Sequence, residues 1–306
     1  MKAFLKISLS VVLFSMLTLF SACEDDDPAA GPDNIVEIAV SNPDFSILVA
    51  ALTKADLVEV LEGDGPFTVF APTNDAFAAL LDDLGVSSLD ELSAEALTPI
   101  LLNHVVVGSV RSTDLETGYV PSANASGPGE TNIDLYIEVG NGVTINGSVS
   151  VTQADIIASN GVIHVVNEVI LPTDIVDIAV ANDNFTTLVG ALSDADLVET
   201  LQGEGPFTVF APTNAAFEEI AEVVAGLTVE QLSDILQYHV LAGANVRSSA
   251  LTNGQVVETL TGTITINISG NTVTITDETE ATATVVLADV QGTNGVIHVI
   301  DKVLLK

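Results

Sequence analysis

The sequence predicts an α+β fold that is built twice along the chain. Three blocks support this prediction because each recurs unchanged and in the same order: GPFTVFAPTN at residues 65–74 and 205–214, ADLVE at 55–59 and 195–199, and NGVIHV at 160–165 and 294–299. Such internal similarity indicates a repeated structural unit. Within each unit, helical periodicity comes first and alternating apolar and polar residues follow, which predicts helices and then strands.

The opening of each unit predicts short amphipathic helices. In the first unit, apolar residues recur at three-and-four spacing, with Asn42 or Asp44 available as a cap. FTVF at residues 67–70 predicts a strand, and Pro72 followed by Thr73 predicts the start of another helix. The apolar residues that define the first helical face are Ile35, Ile38, Ala39, Phe45, Leu48, Val49 and Leu52.

The rest of each unit predicts one more helix and then strands. The helical pattern covers residues 92–106 and 232–241. Residues 131–145 and 263–276 alternate apolar and polar side chains around Asn-Gly and Gly-Asn turns, which predicts antiparallel hairpins. Each NGVIHV block predicts a final core strand after a turn.

The N-terminus predicts a lipoprotein signal peptide over residues 1–22. Lys2 and Lys6 precede an apolar run over residues 7–20, which is too short for a spanning helix. The run ends in LFSAC, which resembles the lipobox of bacterial lipoproteins and identifies Cys23 as the lipidated residue. Phe20, three residues before the cysteine, departs from the aliphatic residue usual at that position.

Residues 23–33 predict an acidic, solvated tether between the lipid and the folded part. Its acidic run resembles the export signal of surface-exposed lipoproteins in Bacteroidota-type bacteria, so we expect an outer-membrane protein that faces outwards from the cell envelope. The first domain is then expected over residues 34–172 and the second over 173–306. Pro172 in the short join restricts their relative motion.

The charge balance excludes some classes of partner. The formal net charge is −35, from 42 acidic and 7 basic side chains. Such a chain repels nucleic acid and anionic lipid head groups, so membrane contact is expected only through the lipid anchor. Trp is absent, which leaves few stacking platforms for sugars. The charge either keeps an exposed protein soluble or serves a cationic ligand.

The sequence contains no recognisable catalytic or metal motif. All four histidines form repeat-matched pairs, His104 with His239 and His164 with His298. A zinc site would need three or four converging ligands, and no EF-hand loop, nucleophile elbow or P-loop is present. We therefore expect no catalytic residue, no metal and no cofactor. The histidines of the closing strands are expected to be buried and hydrogen-bonded.

The recurring blocks resemble the fasciclin-like domain family. FTVFAPTNDAF at residues 67–77 is similar to the first conserved box of that family, and NGVIH at 160–164 is similar to the second. The resemblance covers nearly the whole chain after the tether. It implies a compact β-sandwich or wedge with helices packed on it, a role in adhesion or matrix attachment, and no catalytic activity.

The same resemblance suggests candidate partner-binding residues. In animal members an Asp-Ile pair before the second box has been linked to integrin adhesion, and Asp155-Ile156 stands there in the first unit. Asp289-Val290 is the counterpart in the second unit. The alternative is that both aspartates cap turns while Ile156 and Val290 fill the core.

A second set of candidates lies where a helix ends. Tyr238-His239 matches the tyrosine-histidine element between the two boxes, whereas the first unit has Asn103-His104. Function is expected where the units differ, here and in the longer loop at residues 119–131 of the first unit.

These observations favour a surface-anchored, non-catalytic adhesion protein that binds an extracellular protein or polysaccharide matrix. The alternative is a carbohydrate-binding accessory protein that holds glycan near a nutrient-uptake system. A third possibility is a hydrolase whose acidic pair forms only in the folded chain.

Overall fold

A computed structural model describes residues 32–306. The predicted signal peptide (1–22), the lipidation residue Cys23 and nearly all of the tether lie outside the described residues. No single helix within residues 32–306 is long and apolar enough to cross a membrane. One bent pair, Ile35–Ser41 with Pro43–Lys54, passes that test together at an angle of 105°.

The first repeat begins with helices and ends with strands. Short 3₁₀ helices at Pro43–Phe45, Leu89–Glu91 and Ser112–Asp114 link its elements. Its helices are α1 (Ile35–Ser41), α2 (Ser46–Lys54), α3 (Val58–Glu62), α4 (Asn74–Asp83) and α5 (Ala94–Asn103). Its strands are β1 (Phe67–Pro72), β2 (Val105–Val107), β3 (Gly118–Pro121), β4 (Asp134–Val139), β5 (Val143–Ile145), β6 (Val149–Ala158) and β7 (Gly161–Val166).

The second repeat has the same order with one additional helix. Its 3₁₀ helices are Asp183–Phe185 and Ser248–Ala250. Its helices are α6 (Ile175–Val180), α7 (Thr186–Asp194), α8 (Val198–Leu201), α9 (Asn214–Glu218), α10 (Ala221–Val224) and α11 (Val229–Tyr238). Its strands are β8 (Phe207–Pro212), β9 (Val240–Ala242), β10 (Gln255–Glu258), β11 (Thr263–Ser269), β12 (Thr272–Thr276), β13 (Thr282–Gln291) and β14 (Gly295–Ile300).

Each repeat contains one seven-stranded sheet. The strand order is β2-β1-β7-β6-β5-β4-β3 in the first repeat and β10-β11-β12-β13-β14-β8-β9 in the second. One pair in each sheet is parallel, β1 with β7 and β8 with β14, and the other pairs are antiparallel. Every residue of β7 and of β14 is buried, so the predicted closing core strand is confirmed.

Two cores pack on opposite sides of the central strands. Alternate residues of a strand face opposite sides, so Val69 of β1 joins the core beneath the helices while Phe70 joins a second core. That second core contains Leu135, Ile137 and Ile145, which come from β4 and β5 on the far half of the same sheet. The sheet therefore folds over itself, and the predicted α+β fold with helices packed on it is confirmed.

One cap of the first helices was predicted and the other was not. The first helix is capped by Asn34, whose side chain accepts from the Glu37 N–H while the Glu37 carboxylate accepts from the Asn34 N–H. Asn42 caps the 3₁₀ helix Pro43–Phe45, which leads directly into α2, by accepting from the Asp44 N–H at 3.0 Å, so this predicted cap is confirmed.

The helix predicted over residues 92–106 ends at Asn103, and its counterpart ends at Tyr238. The β-branched run Val105–Val107 pairs with β1 instead of extending the helix. The apolar residues of the short strand continue the spacing of those in the helix, so periodicity alone does not show where the helix ends.

Candidate functional site

A bulge in β6 positions the Asp155-Ile156 pair. The register between β6 and β7 shifts on either side of Gln153, and Asp155 adopts a left-handed conformation with φ of 62°. Asp tolerates this conformation better than most residues because its short polar side chain bonds locally. β13 has the same irregularity, with Asp289 at φ of 66°. Bulges of this kind redirect a side chain out of the strand pattern.

The redirected Asp155 carboxylate caps the 3₁₀ helix Ser112–Asp114. One oxygen accepts from the Ser112 N–H at 2.8 Å, and the other accepts from the Ser112 hydroxyl. These two bonds hold the pKa of Asp155 below its usual value. Asp289 makes the equivalent contacts with Ser248, and the guanidinium of Arg247 lies 4.0 Å away. Each aspartate therefore fixes the loop at its 3₁₀ helix, which agrees with the turn-capping alternative.

A buried histidine lies behind each bulge. The Nδ1 atom of His164 accepts from the Asp155 N–H at 3.3 Å, so its Nε2 carries the proton and donates to the Val110 carbonyl at 3.0 Å. The ring stacks on Phe70 with centroids 5.6 Å apart. His298 repeats this arrangement with Asp289, and burial lowers its pKa. Both ring nitrogens are thus engaged within the fold.

The histidines at the helix ends join α5 and α11 to the segments that follow the closing strands. His104 Nδ1 donates to the Ile100 carbonyl at 2.8 Å, and its Nε2 accepts from the Ile170 N–H at 2.8 Å. His239 makes the same two bonds, the second with Leu304 at 2.9 Å. Burial lowers the pKa of both rings to about 4, so they are neutral at pH 7.

Asn103 and Tyr238 occupy the same position but form different contacts. The Asn103 amide donates to the Leu171 carbonyl at 3.0 Å, in the join between the repeats. The Tyr238 hydroxyl donates to the Thr263 carbonyl at 2.7 Å. Both side chains are fully buried. Together with His104 and His239 they support the fold, and none of the four offers side-chain surface to a partner.

The first repeat covers the bulge of the second repeat. The Gln291 N–H, two residues after Asp289, donates to the Asp134 carboxylate of β4 at 2.8 Å. Burial raises the pKa of Asp134 to about 6, although the Gln291 N–H and the nearby Arg247 guanidinium oppose the shift. Gln291 and Asn245 also exchange amide hydrogen bonds at 3.1 Å. Gln291 is consequently inaccessible to solvent.

Tyr119 of β3 adds an aromatic contact to this junction. Its ring packs against the helical core of the second repeat, and its hydroxyl accepts from the Asn182 amide at 3.0 Å. Burial raises the pKa of Tyr119 to about 12. Tyr119 opens the longer loop in which the sequence predicted a functional difference. That loop returns to the junction at Gly127, where an added Cβ would lie 3.2 Å from the Gln291 side chain.

The equivalent bulge of the first repeat is open. Ile157 holds the position of Gln291 and is 52% exposed. Ile156 is half-buried, whereas its counterpart Val290 is buried. The two predicted Asp-aliphatic pairs are therefore unequal in accessibility, a difference that depends on the packing of one repeat on the other and has no local sequence signal.

An acidic cleft of about 760 Å³ runs along the join between the repeats. Asp83, Glu168 and Asp177 contribute carboxylates to its lining. Desolvation raises the pKa of Asp177. Within residues 32–306, no three His, Cys, Asp or Glu side chains are placed to hold one metal ion.

Comparison with known proteins gives one family and several relatives. The model of the fasciclin domain family matches residues 43–172 and again residues 183–306. Protein sll1483 of Synechocystis sp. (strain ATCC 27184 / PCC 6803 / Kazusa) is 48% identical over 138 residues, which are 45% of this chain and 73% of that protein.

Two animal proteins match across both repeats. The transforming growth factor-beta-induced protein ig-h3 of Sus scrofa is 34% identical over 80% of this chain and 35% of its own length. Periostin of Homo sapiens is 30% identical over 75% of this chain and 26% of its own length. The chain thus spans about a third or less of these relatives. A solved FAS1 domain pair from the insect cell adhesion molecule fasciclin I has 18% identity and a TM-score of 0.47, covering 89% of this chain and 96% of that one.

Proposed function

This chain belongs to the fasciclin domain family, and from that premise we propose that it is a non-catalytic adhesion or interaction protein of the bacterial cell surface. The observation that carries the proposal is the family match over both repeats. Fasciclin domains also occur in ig-h3, in periostin and in an insect cell adhesion molecule. The proposed partner is an extracellular protein or polysaccharide matrix.

The open bulge of the first repeat is the proposed contact surface. Asp155 fixes the adjoining loop, Ile156 is half-buried and Ile157 is exposed, so the segment combines a rigid backbone with apolar surface. Rigid contact residues lose little conformational entropy on binding. Asp289 and Val290 are the weaker candidates because the first repeat covers the neighbouring Gln291.

The buried histidines support the absence of catalysis. General-base catalysis requires a ring nitrogen within reach of a substrate proton. His104, His239, His164 and His298 each use both ring nitrogens in bonds to the protein, and all four are buried.

A matched pair of substitutions tests the contact surface. Ala154 is exposed directly before Asp155, and Ala288 holds the same position in the second repeat. Ala154→Gln places a longer side chain over the open bulge, so we expect about tenfold weaker attachment of the purified protein to matrix-coated surfaces. Ala288→Gln is the control and should leave attachment unchanged. Equal effects of both substitutions would contradict the assignment.

The carbohydrate alternative is tested on the same material. Binding of the purified chain to a glycan array, with no attachment to protein components of the matrix, would favour a carbohydrate-binding accessory protein. Attachment that survives enzymatic removal of polysaccharide would favour a protein partner.

The lipid anchor at Cys23 forms part of the proposal. An acylated cysteine would hold the chain at the outer membrane, with the acidic segment up to residue 33 as a tether. Cys23→Ala should release the protein from the membrane fraction of the native host, because the thioether bond to the lipid forms on the cysteine sulfur. Continued membrane association of this variant would refute the anchor.

A further inference from the structure

We propose that copies of this chain associate head to tail, with the second repeat of one copy seated on the open edge of the first repeat of the next. The open edge is defined here as Asn42, Arg111 and Ile157. The inference rests on the proposed function only in that both use the open bulge of the first repeat. It adds a second copy of this chain as a partner.

The junction within the chain shows what such an edge binds. In the second repeat the equivalent residues are Asn182, Arg247 and Gln291. The Asn182 amide donates to the Tyr119 hydroxyl, and the Gln291 N–H donates to the Asp134 carboxylate. The occupant is therefore the β3–β4 face of a repeat, which supplies one large side chain and one acceptor.

Within residues 32–306, the open edge of the first repeat keeps the asparagine and the arginine, has Ile157 in place of Gln291, and is not covered as its counterpart is. Asn42 caps a 3₁₀ helix as Asn182 does, and Arg111 precedes a 3₁₀ helix as Arg247 does. Arg111 is exposed while Arg247 is half-buried. Ile157 pairs with Val162, and Gln291 pairs with Val296 in the same register. The N–H of Ile157 therefore points away from the closing strand, as the N–H of Gln291 does.

The second repeat carries the complementary face. Val256 of β10 holds the position of Tyr119 of β3. Val256 lies two residues before Glu258, which pairs with β11, and Tyr119 lies two residues before Pro121, which pairs with β4. Val256 is 65% exposed, which is high for an aliphatic side chain on a strand. Thr263 holds the position of Asp134, so the carboxylate on this face comes instead from the exposed Glu258, at the position of Pro121, and it complements Arg111 on the open edge.

Both halves of this contact lie on one chain, and they are different surfaces. A contact between unlike surfaces forms either a closed ring or an open chain of copies, and in an open chain each added copy leaves one edge and one face free. The net charge of −35 repels like copies at low ionic strength. We therefore expect association to strengthen as salt screens this repulsion.

Sedimentation velocity on residues 24–306 tests the inference directly. Between about 10 μM and about 1 mM protein, the average mass should rise with concentration, and more steeply at about 0.5 M than at about 0.15 M salt. Ile157→Asp removes the edge and Val256→Asp removes the face, so each should weaken association at least about tenfold. Val107→Asp, at a 75% exposed position on β2, is the matched control and should associate as the parent does.

Mixing the two blocked variants gives the decisive result. Ile157→Asp retains the face and Val256→Asp retains the edge, so the mixture should form one-to-one dimers and nothing larger. A chain that stays monomeric at all concentrations and salts would overturn the inference, as would association that ignores either substitution. Matrix attachment is measured separately, and Val256→Asp should retain it. A variant that no longer self-associates but still attaches leaves the proposed function standing.

Discussion

At the scale of single residues, the four histidines show how one residue type serves two structural purposes. His164 and His298 support the bulges, while His104 and His239 tie a helix end to the segment beyond the closing strand. In each case both ring nitrogens are bonded, which fixes the tautomer. The lowered pKa of His104 and of His239 makes stability depend on pH.

The pKa of His104 and of His239 is about 4 in the folded chain, below the ordinary value of 6.5. The unfolded chain therefore gains protons first as pH falls, and stability is lost between pH 6.5 and 4 by about 3 kcal/mol per ring. His104→Gln should be less stable than the parent at pH 7, and this difference should shrink as pH falls towards 4. Urea unfolding midpoints across that range check the prediction. A constant difference would contradict it.

Residue-scale roles were only partly predictable. The repeat-matched spacing of the histidines, and their place on apolar faces, indicated core positions. It did not indicate that Asn103 and Tyr238 are fully buried, because each is polar and finds its partner in a distant segment: Leu171 for Asn103 and Thr263 for Tyr238. Long-range hydrogen bonds leave no local pattern.

At the scale of elements, the parallel strand pair depends on a glycine. A Cβ added at Gly161 would lie 2.0 Å from the Phe67 carbonyl oxygen, a distance that no relaxation of a side chain can relieve. Gly161 opens β7 opposite Phe67 of β1, so the clash falls on the central pairing of the sheet.

Gly161→Ala should therefore destabilise the first repeat by at least about 3 kcal/mol, or prevent its folding. Gly190→Ala is the control: this exposed glycine in α7 has no atom within 4 Å of the added Cβ, and the change should stabilise by about 0.5–1 kcal/mol. Thermal unfolding followed by circular dichroism distinguishes the two. Equal behaviour would refute the close-approach argument.

Sequence periodicity predicted the helices and hairpins better than the long strands. The hairpin turns at Asn141-Gly142 and Gly270-Asn271 lie between paired strands, as expected. β6 and β13 were not predicted, because each contains register shifts that break the alternation of apolar and polar residues. The irregularity that hides these strands from sequence analysis is also the feature that forms the candidate site.

At the scale of the whole molecule, the two repeats are chemically similar but unequally exposed. The first repeat contributes Tyr119 and Asp134 to the junction, where both side chains contact the second repeat. The short join predicts a restricted orientation of the repeats, but the contacting surfaces are set by tertiary packing and leave no local pattern in the sequence.

Tyr119→Ser should loosen this junction without unfolding either repeat, because the phenol packs on the second repeat and not within its own core. We expect a larger radius of gyration in small-angle scattering and faster proteolysis at residues 171–174. Val107→Ser changes an exposed position on β2 that makes no junction contact, and it should leave both measurements as in the parent. An unchanged profile for Tyr119→Ser would show that the join alone fixes the orientation.

The parallel pairing of β1 with β7 also constrains how the chain reaches its folded state. Asn160, just before β7, donates to the Leu61 carbonyl 99 residues earlier, so a repeat stays open until its last strand is available. Such non-local closure folds slowly. β1 and β8 have the same sequence, as do the NGVIHV blocks of β7 and β14, so either early strand can pair with either late one. Because the chain emerges with its N-terminus first, β7 is available to β1 before β8 has left the ribosome or the export channel. The order of arrival, and not the strand sequence, then selects the correct partner.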